Sequence, residues 1–290
     1  MTDSPSRQSP KTDPLLERSL LDVGIPPCPD ILTRIMDEMH KEEPDYHRLT
    51  SIISADVALS AGLIKTTNSP YFARQQRARS VHDALSILGL RVAGHTIAGI
   101  ILRNLFPSTP NMVRFWDASA RTARVCAWLA HKLDISGFNA DDAYTFGLFH
   151  DCGIPVLMTR FPNYKDVLGQ ANRDASNEFT AAEEILVKTN HAVVGSALAK
   201  NWWLPADMCM AISHHHDLNA LSANSTLPLS CRLFIATTQF AEHFTQQQLG
   251  LDITQEWPKF GAACLETLKI DEDDLEFLYS EAKQIIATPE

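Results

Sequence analysis

Gly147-Leu148-Phe149-His150-Asp151-Cys152-Gly153 ends an apolar run with an adjacent His-Asp pair. Tyr144, Leu148 and Phe149 recur at helical spacing after Asp141 or Asp142, either of which can start the helix, so the pair is predicted at a helix end that faces a core. A carboxylate buried there is costly unless a cation or several donors compensate it. The same half of the chain holds the needed partners: His191, and the run His214-His215-His216 followed by Asp217. Neutral imidazole and carboxylate are ligands that divalent metals accept. Two readings of the pair stand side by side. It is either a hydrogen-bonded His-carboxylate contact tying two helices together, or part of a metal site.

Working outward, the chain reads as a succession of helices. After three prolines (26, 27 and 29), Asp30 is placed to cap a helix carrying Ile31, Ile35, Met36 and Met39. Pro44 and Asp45 open the next, with Leu49, Ile52 and Ile53 on one face. Val57 to Ile64 follow Asp56 and stop at Asn68-Ser69-Pro70. Asp56 and Asn68-Ser69 read as helix-end and turn groups. A helix from about Ser80 to Gly89 precedes an apolar segment, 91–105, that is expected to be buried. Pro107-Ser108-Thr109-Pro110 is the clearest internal break. Beyond it Val113 to Leu129 support one long helix. Thr180-Ala181-Ala182-Glu183 matches a capping box. Asn190 is placed to cap a helix running toward Trp202, Leu204-Pro205 separates it from the next, and helices over 230–243 and 271–286 close the chain. Trp202 and Trp203 are expected to anchor the core. No alternating β pattern of useful length occurs.

Composition narrows the function. The 290 residues are 45% hydrophobic and 21% charged, ordinary for a folded chain, with a formal net charge of −10. Such a charge disfavours nucleic acid, and Arg74, Arg77 and Arg79 read as a solvated loop. The six cysteines form no CxxC pair, and no stretch approaches the roughly 20 apolar residues of a membrane span. The N-terminal residues have no signal-peptide pattern. A cytoplasmic chain with reduced thiols is expected, without membrane association.

The motif GLxHDxG, here at 147–153, is the central motif of HD-superfamily phosphohydrolases. The resemblance extends along the chain to the HDOD domain, an HD-related output domain of bacterial signalling proteins. It is carried by Ile25-Pro26-Pro27-Cys28-Pro29, Ile53-Ser54-Ala55-Asp56-Val57-Ala58-Leu59, Thr67-Asn68-Ser69-Pro70-Tyr71-Phe72 and Ala84-Leu85-Ser86-Ile87-Leu88-Gly89. Phe115-Trp116, the 147–153 run, His191-Ala192-Val193-Val194-Gly195, Trp203-Leu204-Pro205 and the histidine run continue it, over about residues 20–220. The resemblance implies an all-α bundle in two packed helical lobes. A leader (1–14) expected to be disordered would precede an N-terminal lobe (15–108), an HD-like lobe (109–245) and a C-terminal helical extension (246–290).

Departures from the hydrolase pattern are specific. Ala118 stands where active enzymes place a first histidine, 234–239 lacks the late aspartate, Ile154 replaces a lysine that polarises phosphate, and no GYP sequence follows the histidines. The resemblance leaves His150, Asp151, His191, His215 and His216 as metal-ligand positions, enough for one divalent ion (Fe, Mn, Zn or Ni), with no residue assigned to catalysis. His40, His47, His82, His95, His131 and His243 match no ligand position. The implied function is a non-catalytic signal-transduction module acting on a partner protein or by self-association. Alternatives are a metal-dependent phosphohydrolase acting on a nucleotide or phosphomonoester, and a metal- or nucleotide-sensing domain.

Overall fold

The computed structural model describes residues 23–69, 71–72, 77–250 and 254–287. The leader over 1–14, the helical spacing that starts at Leu15, and Arg74 lie outside these residues. Every regular element among the described residues is helical.

The amino half begins with α1 (Asp30–Met39). Pro29, not Asp30, is its N-cap and contributes no side-chain bond, so Asp30 sits in the first turn, where its charge favours the helix dipole. Asp45 caps α2 (Tyr46–Ser54) by accepting from the His47 and Arg48 N–H groups. Asp56 caps α3 (Val57–Thr67) through the Leu59 N–H, and the chain bends by 116° between the two helices. The Asn68 side chain bonds both the N–H and the carbonyl of Ala78, each at 2.8 Å, and so pins the turn.

The fourth helix, α4 (Val81–Leu105), starts at a capping box of Ser80 and Asp83 and breaks at Gly89, whose φ of +70° a side chain would resist. It resumes at once, which is why the expected stop at Gly89 and the buried segment after it form one element. Contrary to the expectation that no stretch approaches a membrane span, this helix is long and apolar enough to be one, because its apolar run continues past Gly89, but 67% of its apolar window is buried inside the protein. Its apolar surface is used by α1, α2 and α3.

The carboxyl half starts at Thr109, which caps α5 (Pro110–Leu133) with Pro110 in the first turn. Next comes α6 (Ala140–Phe149), capped by Asn139, with Asp141 and Asp142 in its first turn rather than at its start. Then follow α7 (Gly153–Arg160), α8 (Tyr164–Ala171), α9 (Ala181–Val187), α10 (His191–Asn201) capped by Asn190, and α11 (Ala206–His214). Two longer helices, α12 (Leu229–Leu249) and α13 (Glu256–Leu268), precede a 3-10 turn (Glu272–Asp274) and α14 (Leu275–Ala287). The sequence reading did not anticipate α7, α8 or α13. Pro155 and Pro258 masked two of them, yet each lies in a first turn, where the missing N–H costs nothing.

One apolar core runs from Val23 to Ile286 and passes across the link at 106–109. Helix α5 is central to the carboxyl half, packed against α6, α12 and α14, while α6 also meets α4 of the amino half. Trp202 is completely buried and anchors this core. Trp203 does not: it takes a left-handed φ of +68°, which turns its indole outward to 49% exposure beside His40.

Candidate metal centre

Two helix starts cross where the HD pair lies. A Cβ on Gly153 would stand 2.1 Å from the carbonyl oxygen of His191 and 2.7 Å from the N of Gly195, so the first turns of α7 and α10 meet main chain to main chain. That approach brings Asp151, just before α7, against His191, the first residue of α10. The C-terminal end of α11 adds His215 and His216 from a third direction.

Asp151 Oδ1 lies 3.3 Å from His191 Nε2 and 3.3 Å from His215 Nε2, and the two nitrogens are 3.2 Å apart. His216 joins them, with one potential ligand atom from each of the four residues within 4.8 Å of the others. Asp151 Oδ2 faces the other way, 3.4 Å from His150 Nε2, which is also 3.2 Å from Glu242 Oε1. His150, Asp151 and Glu242 thus form a second group that shares Asp151. Of the five residues named from the sequence, four converge and His150 flanks them. His214 is turned outward and pairs with Asp217 at 3.5 Å.

Every histidine of the centre is held by Nδ1. His150 donates to the Gly147 carbonyl at 2.9 Å, and His215 to the Ile212 carbonyl at 2.6 Å. Carbonyls only accept, so each ring keeps its proton on Nδ1 and presents Nε2 to the centre. His191 Nδ1 bonds Glu183 Oε2 at 2.7 Å, and His216 Nδ1 bonds Glu256 Oε2 at 2.6 Å. Glu183 is itself held by the Tyr164 hydroxyl, and Glu256 by Lys259 at 3.0 Å. Such outer carboxylates and carbonyls fix ring orientation in metal sites and raise the basicity of the facing nitrogen.

The donor set fits a metal ion. His215 Nε2 faces His191 Nε2 and a carboxylate oxygen, three atoms that a shared cation would hold together. Ligand atoms at the corners of a tetrahedron with bonds of about 2.0–2.1 Å are about 3.3 Å apart, and the three edges among Asp151, His191 and His215 are 3.2–3.3 Å. Burial opposes charge on His191, but Glu183 and Asp151 overcome it and raise its pKa to about 10. His150 is raised in the same way, against burial, by Asp151 and Glu242. Burial would push Asp151 up, yet the His150 charge and the bonds from His150 and His191 hold it well below the ordinary carboxylate value. Burial, reinforced by His215 and His191, keeps His216 neutral.

The structure corrects the reading of Glu183. Thr180 has helical angles and makes no capping bond, and Glu183 is fully buried as the acceptor for His191 instead of closing a capping box. Glu242 and Glu256 were also missed. Gln239, the last residue of the 234–239 stretch that lacks a carboxylate, donates to the His215 carbonyl, and Glu242 lies three residues further along α12. The histidines set aside stay outside the centre. His95 is buried against Thr145, and His243 stacks on Trp257 at 4.4 Å.

Comparison with known proteins matches residues 25–218 to the family model of the HDOD domain, most of the chain and all five predicted ligand positions. The chain belongs to the HDOD family. Within this HDOD domain Glu183 lies inside the matched span, whereas Glu242 and Glu256 come from helices beyond it. A protein of Treponema pallidum, described as uncharacterised, is 27% identical over 195 residues, which are 67% of this chain and 38% of that one. The chain therefore spans about two-fifths of that relative. Among solved structures, an HDOD domain protein of unknown function from Geobacter sulfurreducens superposes with a TM-score of 0.66 at 24% identity over 94% of each chain. A candidate signal transduction protein from Marinobacter aquaeolei gives 0.66 at 21%, over 91% of this chain and 58% of its own. A candidate metal-dependent phosphohydrolase from Shewanella amazonensis gives 0.60 at 20%, over 93% and 96%. At these identities the likeness establishes the fold.

Proposed function

We propose that this HDOD domain is a non-catalytic signalling module that holds one divalent metal ion on His191, His215, His216 and Asp151 and acts on a partner protein. The observation that carries the reading is the closed construction of the centre. Its three histidines are at most 7% exposed, each is locked through Nδ1, and the ion pairs of Asp151 are with histidines. Ile154, at the position where a phosphate-polarising lysine would stand, is 8% exposed and packed in the apolar core. An ion bound there supplies positive charge that joins the ends of α6, α10 and α11. The protein side holds the rings in one tautomer, and it offers no basic side chain at position 154 to position a phosphate.

A specific feature favours a second reading, metal-dependent phosphoester hydrolysis. Asp151 and Glu242 are the solvent edge of the centre, with side chains 20% and 24% exposed. One experiment separates the two. Metal content is measured by plasma mass spectrometry on protein purified without an affinity tag or chelator, beside Asp151→Asn, and the metal-loaded chain is assayed with p-nitrophenyl phosphate and nucleoside monophosphates. Near-stoichiometric metal lost in the variant, with no turnover, is expected. Turnover abolished by Asp151→Asn would replace the proposal with the hydrolase reading, and metal-free protein in both samples would remove the metal from it.

A further inference from the structure

A cavity of about 340 Å³ opens where the end of α1 meets α4 and the turn between α10 and α11. It contains no residue of the histidine centre. Met36, Met39 and His40 line it at i, i+3 and i+4 spacing, so their side chains share one helix face. Gly94 on α4 lies opposite. A Cβ there would stand 3.2 Å from Met39 Sδ and 3.5 Å from Met36 Sδ, so the two sulfurs converge on a point that the missing side chain leaves free. His40 Nδ1 donates to the Met36 carbonyl at 2.7 Å, which fixes the ring and leaves the lone pair on Nε2. Beside His40, with ring centres 5.9 Å apart, stands the half-exposed indole of Trp203. The left-handed φ of Trp203 is an outlier for so bulky a residue, and strain of this kind gathers at binding sites. Two thioethers and an imidazole are a soft, uncharged donor set, and no carboxylate lines the cavity. Such donors favour copper(I) over harder divalent ions, and a single positive charge needs no carboxylate to offset it. An indole face adds attraction for a cation. Arg91 and His95, which also line the cavity, do not oppose one: Arg91 is paired with Asp142, and burial lowers the pKa of His95 to about 4 and keeps it neutral.

We propose that this cavity is a copper(I) site, with Met36 Sδ, Met39 Sδ and His40 Nε2 as ligands and the Trp203 indole beside the ion. The site is separate from the histidine centre and does not rest on the function proposed above. An ion held there ties the end of α1 to the turn at Trp203, which leads directly into α11.

The test is an anaerobic titration of the full chain with copper(I), supplied as its acetonitrile complex, in competition with the chromophoric chelator bicinchoninate. The parent should hold one equivalent that a Met36→Leu, Met39→Leu double variant does not. His40→Gln should weaken that equivalent about tenfold or more, since even a supporting partner of a metal ligand is worth about 10–100-fold in affinity. Methionine to leucine conserves volume, so the double variant is expected to fold, which its melting curve without copper checks. Met39→Leu alone serves if it does not. Copper taken up by the histidine centre or by the cysteines is common to parent and variants and cancels in the comparison. X-ray absorption at the copper edge should show sulfur neighbours in the parent that are missing from the double variant, and copper binding should quench tryptophan fluorescence less in Trp203→Phe. A parent that keeps no copper against the chelator would overturn the proposal. So would equal copper content in parent and methionine variants. Zinc that displaces the methionine-dependent equivalent would overturn the choice of ion.

Discussion

At its end, α6 delivers His150 and Asp151 to a centre of histidines and carboxylates, while the end of α1 brings Met36, Met39 and His40 to a cavity beside Trp203. The centre is buried, each ring is fixed from behind, and its parts come from helix ends in close main-chain contact. At the cavity His40 and Trp203 are exposed, and the thioethers carry no charge that needs a partner. The difference teaches where tolerance lies. Groups that compensate one another's charge in the interior are interdependent, whereas thioethers around an opening can be changed singly at less structural cost.

The largest expected effect separates the two regions outright. Asp151→Ala leaves His150 and His191 without their shared carboxylate, and breaking a buried ion pair in this way costs about 3–5 kcal/mol. Urea denaturation of the metal-free chain should show that loss, while Met39→Leu, which conserves volume, should stay within about 1.5 kcal/mol of the parent. Equal losses in both variants would erase the contrast.

Steric tolerance comes next. Gly153→Ala places a methyl group 2.1 Å from the His191 carbonyl oxygen, and forcing such backbones apart costs about 1–3 kcal/mol. Metal content should fall with stability in this variant, although no ligand has been touched. A Gly153→Ala protein with parental stability would show that the crossing of α7 and α10 is looser than described.

A third contrast is in pH, where two buried histidines, His95 on α4 and His191 in the centre, are expected to act in opposite directions. Burial on α4 lowers the pKa of His95 to about 4. The unfolded chain takes up that proton below about 6.5, so stability is complete above this value and falls as pH drops toward 4, by up to about 1.4 kcal/mol per unit. For His191, burial opposes the charge, but Glu183 and Asp151 raise its pKa to about 10. Its contribution is complete below about 6.5 and is lost as pH rises toward 10. Unfolding of metal-free protein between pH 5 and 9 should show both limbs. His95→Gln should flatten the acid limb alone, and Glu183→Gln the alkaline limb alone.

Much of this was legible in the residues, for reasons that differ by region. Helices announced themselves by apolar spacing and by caps at Asp45, Asp56, Ser80 and Asn190, which act within three residues of their own position. The ligand positions stood out because His150-Asp151 and His215-His216 are adjacent in the chain. The carboxylates behind them did not, since one hydrogen bond to an imidazole can come from any separation: Glu183 acts over 8 residues, Glu256 over 40 and Glu242 over 92. The Glu183 position even imitated a local motif. The cavity was only half legible: Met36, Met39 and His40 share a helix face, but Gly94 and Trp203 meet them from distant stretches of the chain. Trp203 was misread because its neighbour carries the packing and the left-handed turn between them has no signature in composition.

The crossing at Gly153 also bears on how patterns of this kind are used as signals. Two messages are carried in seven letters. The glycine reports that two main chains touch, and the His-Asp pair reports that something positive is wanted between them. The messages are separable: a chain that had dropped every ligand would still need the glycine to close the same crossing, and would still score with a pattern weighted toward it. A match at 147–153 is thus a reliable marker of architecture and a weak marker of chemistry unless His191, His215 and His216 are counted with it.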